Sequence, residues 1–211
     1  PSMKVILFDF DGVIVDTFSF CYRIMNERYG GISQDEYRSK FEGNINDAVK
    51  KPQEAKPADS AAKPFDFFGQ YTSALLACQP NQGIFGVIRD LVATYQLIII
   101  SSTISSSIDT YLTQVGLREC FQEILGNDIE KSKVKKIQHV LTQYAIKPSE
   151  TVFITDTLGD IKEAHSCDVR SIAVTWGYHS AETLSKGNPF KIVHTPNELR
   201  STIDELEKEQ F

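Results

Sequence analysis

Long apolar runs are missing from this 211-residue chain. Nothing in it approaches the roughly 20 residues of a membrane span, and its most apolar stretches, residues 5–8 and 97–100, are strand-sized. A signal-peptide core is not expected either, because a strand pattern begins almost at the first residue. Cysteine is scarce: Cys21, Cys78, Cys120 and Cys167 are widely spaced and form no CxxC pair, which argues against a zinc site or a disulfide framework. Free thiols in a reducing, cytoplasmic setting are expected. No cationic excess exists, since 22 Lys and Arg stand against 28 Asp and Glu for a net charge of −6, and no nucleic-acid partner is expected. GxGxxG, Walker A and GxSxG motifs are absent, and His139, His165, His179 and His194 fall into no catalytic pattern.

What is present is an alternation of short apolar runs with amphipathic stretches. Residues 4–8, 97–100, 151–154 and 171–174 read as strands covered on both faces, with 121–125 and 191–193 as weaker ones. Helices are expected near 84–95, 104–115, 131–144, 159–166 and 197–208, the fourteen-residue one carrying Val134, Ile137, Val140, Leu141 and Tyr144 at helical spacing. Strand–helix repetition of this kind predicts an α/β fold with a doubly wound parallel sheet. The rhythm breaks between Asp16 and Gln82, where no strand pattern occurs. A helix from Asp16 or Thr17 to Tyr29, stopped by Gly30-Gly31, and helices over 34–41 and 65–78 suggest a small helical insertion. The expected division is 1–15 with 83–211 as core and 16–82 as insertion. Within the insertion, residues 50–64 hold three prolines, four lysines, four alanines and no large apolar side chain, and read as a mobile loop.

Three strands end alike: one runs into Asp9, one into Ser101, one into Asp156. Ligands of open parallel sheets bind at strand carboxyl ends, so these side chains are expected to converge. Two acids and a hydroxyl, with more acids nearby, suit a hard cation and an oxyanion rather than a dinucleotide. Asp9 and Asp11 would share a face if the strand continued, and Gly12 permits a sharp turn there. Two carboxylates so close repel, and apolar neighbours disfavour their charged forms. One therefore stays protonated unless a cation intervenes, which divides nucleophile from proton-exchanging acid.

The run DFDGVIVDT, Asp9 to Thr17, resembles the first motif, DxDGxxxDT, of the haloacid dehalogenase superfamily, most closely its phosphatase branch. The other motifs follow in order. Ser101 is similar to the second-motif Ser or Thr, with Ser102 and Thr103 as neighbouring hydroxyls. Lys131 or Lys133 is similar to the third-motif lysine. Thr155-Asp156-Thr157-Leu158-Gly159-Asp160 resembles the fourth, usually GDxxxD, with Thr155 where glycine is common. Lys131 lies 25 residues before Asp156, which resembles members with a Lys-Pro pair, although Ser132 stands in place of that proline. The resemblance covers residues 3–16 and about 83–200, and the insertion occupies the place of a helical cap. Residues 175–179 resemble a loop of phosphoglycolate-phosphatase-like members.

The resemblance implies a Mg²⁺-dependent phosphatase acting on a small phosphorylated metabolite, as a monomer or homodimer, with a phosphoglucomutase-like phosphotransferase and a non-catalytic phospho-ligand-binding protein as alternatives. Asp9 would be the nucleophile and Asp11 the general acid and base. Ser101, Ser102 and Lys131 (alternatively Lys133) would grip the phosphoryl group. Asp9, the Asp11 carbonyl, Asp156 and Asp160 would hold the metal. A carboxylate attacking a phosphate dianion faces repulsion on the order of 4 kcal/mol per unit pair at about 4 Å and an effective dielectric of 20, which a lysine and a divalent cation offset.

Overall fold

The computed structural model describes residues 2–49 and 64–209. The loop expected over 50–64 therefore lies, except for Pro64, outside the described residues. Six strands form one parallel sheet: β1 (Val5–Phe8), β2 (Gln96–Ile100), β3 (Phe121–Leu125), β4 (Thr151–Thr155), β5 (Arg170–Val174) and β6 (Lys191–Val193). Their order is β3-β2-β1-β4-β5-β6, with Val5 opposite both Gln96 and Thr151.

The apolar runs are continuous because both faces are covered. Ile6, Phe8, Leu97, Ile99, Val152 and Ile154 face one layer; Val5, Leu7, Ile98, Ile100 and Phe153 face the other. The first layer holds α5 (Ile84–Leu91), α6 (Ser105–Val115) and α10 (Asn197–Lys208), through residues such as Ile88, Tyr111 and Ile203. The second holds α7 (Lys133–Gln143) and α8 (Leu158–Ser166), through Ile137, Val140 and Ala164. Four side chains of α5 are fully or almost fully buried, as its strong amphipathic pattern requires.

Between β1 and α5 lie α1 (Phe18–Tyr29), α2 (Gln34–Ser39), α3 (Ile45–Val49) and α4 (Phe67–Leu75), with no strand among the described residues from 16 to 82. Gly30, at φ 67°, ends α1 at the expected place. Ser33 and Glu36 form a reciprocal capping box on α2, which stops at Ser39 and tightens into a 3₁₀ turn over Lys40–Glu42 rather than running on to Phe41. Five-residue α3 and α9 (Ala181–Ser185) complete the helices. No helix among the described residues is long and apolar enough to cross a membrane.

Candidate active site

The order of strands reverses between β1 and β4, the place where open α/β sheets leave a crevice at their carboxyl ends. Asp9 follows β1 and Asp156 follows β4, so the two acids flank that crevice. The Asp9 backbone N–H continues the ladder to Ile154 O at 2.9 Å. Its Oδ1 accepts from the Phe10 N–H at 2.9 Å and from Lys133 Nζ at 3.1 Å. Lys133 is the first residue of α7, capped by the Ser132 hydroxyl, which accepts from the Lys135 N–H. Lys133 Nζ also donates to Asp160 Oδ2 at 2.7 Å, and that oxygen accepts from Thr155 Oγ1 at 2.7 Å as well. The departure from glycine at 155 thus has a use. The Thr155 hydroxyl ties Asp160 to the strand end and accepts the Thr157 N–H.

Asp156 is wholly buried. Its Oδ2 accepts from the Tyr178 N–H at 2.7 Å, while Oδ1 is buried with no partner. Two glycines make room for this carboxyl: a Cβ at Gly12, whose φ is +79°, or at Gly177 would overlap Asp156 Oδ2. Asp156 and Asp9 influence each other's protonation: Asp156 adds to the rise at Asp9, and Asp9 opposes the rise at Asp156. Burial raises the Asp9 carboxyl well above the ordinary aspartate range; Lys133 opposes the rise, and Asp160, Asp156 and Asp11 add to it. Burial likewise raises Asp156. Burial alone would lower Lys133, but Asp160 and Asp9 outweigh it and hold the ammonium firmly charged. Lys136, whose Nζ donates to Ser101 O at 2.6 Å, is pushed down to about 8 by burial and by Lys133.

Asp11 faces the helical insertion. Its Oδ1 accepts from Thr17 Oγ1 at 2.9 Å and from Tyr71 Oη at 2.6 Å, and its Oδ2 from Thr103 Oγ1 at 2.8 Å. Thr17 precedes α1 without capping it by its side chain, because its hydroxyl is shared between Asp11 and Tyr178 Oη. The strand does not continue through Asp11 as the spacing assumed, yet Asp9 and Asp11 line the same small cavity of about 40 Å³ with Ser102, Lys133, Thr157 and Asp160. Ser101 is fully buried, its Oγ accepting from the Thr103 N–H at 3.0 Å.

Of the two lysines, Lys133 is the one that meets Asp9. Lys131 is exposed and lines a second, larger cavity, and its carbonyl accepts from Asn46 Nδ2 at 3.1 Å. The corrective signal was in the sequence: a serine directly before an amphipathic run is a helix cap, so position 133, and not 131, opens α7. Thr103, Tyr71 and Tyr178 as partners of the first motif had no such signal.

The donor set suits a hard divalent cation. Asp156 Oδ1 is an orphaned buried oxygen next to a second carboxylate, and three acids, Asp9, Asp156 and Asp160, outnumber Lys133. Asp160, however, spends Oδ2 on Lys133 and Thr155, and Asp11 spends both oxygens on hydroxyls. No group of three or more acid, imidazole or thiol side chains among the described residues is arranged around one ion.

A family model described as haloacid dehalogenase-like hydrolase matches residues 6–174. The chain is 24% identical over 214 residues to phosphoglycolate phosphatase of Synechococcus elongatus, covering 97% of this chain and 99% of that protein. It is 20% identical over 221 residues to phosphoglycolate phosphatase of Nitrosococcus oceani, at 96% and 97% coverage. In fold it is similar to CbbY from Rhodobacter sphaeroides crystallised with phosphate, at a TM-score of 0.76, 21% identity and coverage of 96% and 99%. A haloacid dehalogenase-like protein from Agrobacterium tumefaciens gives the same TM-score at 22% identity, with coverage of 97% and 99%. With the motif acids gathered at the carboxyl ends of the central strands and the family model spanning most of its length, the chain belongs to the haloacid dehalogenase-like hydrolases.

Proposed function

We propose that the protein is a Mg²⁺-dependent phosphoric monoester hydrolase that works through an aspartyl-phosphate on Asp9. The observation that carries this reading is the pairing of Asp9 with Lys133 in one small cavity at the sheet's reversal point, with the partnerless oxygen of Asp156 buried at the end of the neighbouring strand. The names of the full-length relatives support phosphate esters as substrates. The Asp9 and Asp156 carboxylates and the Asp11 main-chain carbonyl would hold the ion, with Asp160 acting from behind Lys133. When bound, Mg²⁺ supplies positive charge that offsets the repulsion between a carboxylate and a phosphate dianion.

In the first half-reaction an Asp9 carboxylate oxygen bonds to phosphorus while the P–O bond to the substrate alcohol breaks, and Asp11 gives its proton to the departing alkoxide. Asp11 then takes a proton from water, whose oxygen attacks the same phosphorus. The Asp9–phosphorus bond breaks, and inorganic phosphate and the free carboxylate result. Lys133 and the Ser101 and Ser102 hydroxyls hold phosphoryl oxygens, and Asp160 with Thr155 orients Lys133. The described parts of the insertion, residues 16–49 and 64–82, act as a cap over the site and exclude water from the phosphoenzyme. Four unpaired cysteines support a reducing, cytoplasmic setting.

The test is phosphate release from benzyl phosphate with and without Mg²⁺, in the wild type and in Asp9→Asn. The expected result is turnover only with the cation and only with Asp9. A wild type inert across a broad panel of phosphate esters in saturating Mg²⁺ overturns the reading.

A further inference from the structure

The small polar cavity adjoins a second one of about 380 Å³, and Asp11, Ser102 and Tyr178 line both. On the reading above, the phosphoryl group occupies the first cavity and Asp11 meets the bridging oxygen. The second cavity is therefore where the leaving alcohol extends. One side of its wall is aromatic. Phe65, Phe67, Phe68 and Tyr71 come from α4 and the residues just before it, and Tyr29 and Tyr37 come from α1 and α2. These rings form a connected set: Phe67 stacks on Tyr71 at 5.9 Å between centroids, Phe68 meets Tyr71 edge-on at 6.3 Å, and Phe65 meets Tyr29 edge-on at 6.4 Å. Phe65, Phe67 and Phe68 remain half-exposed, so the rings are not fully occupied by one another. The cavity falls within the ~300–1,000 Å³ range of drug-sized ligand sites, and a hydrophobic void of about 150 Å³ already accepts benzene. Lys131 is the single cationic side chain among the described lining residues, and it is exposed.

A leaving group of four or five atoms bearing a carboxylate uses neither this volume nor these rings. Its second negative charge would lie against aromatic faces, which repel anions by the same quadrupole that attracts cations. We infer that the substrate is a phosphomonoester whose alcohol carries an aromatic ring or an apolar body of similar size, seated against the Phe67–Tyr71 ring pair, rather than a small anionic phosphoester such as phosphoglycolate. This rests on the phosphatase reading of the adjoining site.

The test compares kcat/KM for 3-phenylpropyl phosphate, propyl phosphate and phosphoglycolate in saturating Mg²⁺. The first two have nearly equal leaving-group basicity, so their ratio reports the seat of the ring and not the chemistry of the bond. Burial of one phenyl group predicts a ratio of about 10–100 in favour of phenylpropyl. Phe67→Ala is expected to reduce that ratio several-fold, and Phe67→Leu to restore part of it; should Phe67→Ala not fold, Phe67→Leu alone carries the comparison. Equal turnover of the two alkyl esters, or preference for phosphoglycolate, overturns the substrate class and leaves the phosphatase reading standing. Failure to release phosphate from any of the three, and from benzyl phosphate, overturns both.

Discussion

Replacing Lys133 by Met removes the ammonium that joins β1 to α8 through Asp9 and Asp160, at 3.1 and 2.7 Å, with all three side chains under a tenth exposed. At about 3 Å and an effective dielectric of 20, each attraction amounts to about 5 kcal/mol before desolvation is subtracted. Desolvation removes much of this, and deleting one member of a buried ion pair costs about 3–5 kcal/mol, since the other charges are left buried and unmatched. In a chain of this size each kcal/mol moves Tm by about 2–4 °C, so the expected fall is about 6–20 °C at pH 7.5. Met is nearly as good a helix former as Lys, so the start of α7 is not itself weakened. Part of the loss returns as the pH is lowered, because the Asp9 carboxyl, already raised by burial, takes up a proton in place of the ammonium. Loss of this electrostatic contact should reduce kcat by about 10²–10³-fold. Lys131→Met is the matched control: an exposed side chain whose loss should alter stability by no more than about 0.5 kcal/mol. Circular-dichroism melts and colorimetric phosphate release on both variants decide it. The reasoning is refuted if Lys131→Met loses turnover, or if Lys133→Met melts with the wild type.

Gly177→Ala places a Cβ on the Asp156 carboxyl and should abolish any Mg²⁺-induced rise in Tm while leaving α10 and the far sheet edge folded, as read by hydrogen exchange. Tyr71→Phe keeps the ring but removes one of three hydroxyls bonded to Asp11; kcat should fall by about tenfold, the equivalent of about 1.4 kcal/mol, with KM little changed. His179 accepts the Leu158 N–H on Nδ1 and, as the Nε2–H tautomer, donates to Arg38 O; burial lowers its affinity for protons. Since unfolded histidine titrates near 6.5, the unfolded chain binds the proton first as the pH falls through about 6.5, and folding stability drops until the lower folded value is passed. Because the raised Asp156 acts in the opposite sense over this range, the difference is the readout: in urea unfolding from pH 7.5 to 5.0 the wild type should lose stability relative to His179→Gln.

The core was legible because its strands are buried on both faces, which leaves nearly continuous runs such as VILF and LIII, and because each run stops at a polar residue where the sheet ends. Legibility failed where tertiary contacts decide. Thr17 reads as a cap, but its hydroxyl is diverted by Asp11 and Tyr178, the latter 161 residues further on. Nothing near Tyr71 in sequence announces that its hydroxyl reaches Asp11 across 60 residues. Helix α3 has five residues, fewer than two turns of periodicity, and leaves no detectable pattern. Spacing to Asp156 alone leaves Lys131 and Lys133 open, with Lys131 ahead; the cap at Ser132 is what sets Lys133 at the start of α7, where it meets Asp9.

The buried acids are the feature that stability alone would not retain. Asp156 is raised to about 7 from an ordinary 3.8, so without a cation the folded state holds a proton that the unfolded chain has already released. Stability of the ion-free protein therefore falls as the pH rises from about 4 toward neutrality. Asp156→Asn removes that penalty with little change of shape: its amide oxygen accepts the Tyr178 N–H as Oδ2 does, and its amide nitrogen takes the place of Oδ1. The ion-free variant should melt above the ion-free wild type at pH 7.5 and near it at pH 5. With excess Mg²⁺ at pH 7.5 the order reverses, because only the wild type gains stability from the ion, in proportion to ln(1 + [Mg²⁺]/Kd). A site kept for packing rather than chemistry gives the opposite pattern, with Asp156→Asn less stable at both pH values and Mg²⁺ without effect on either protein.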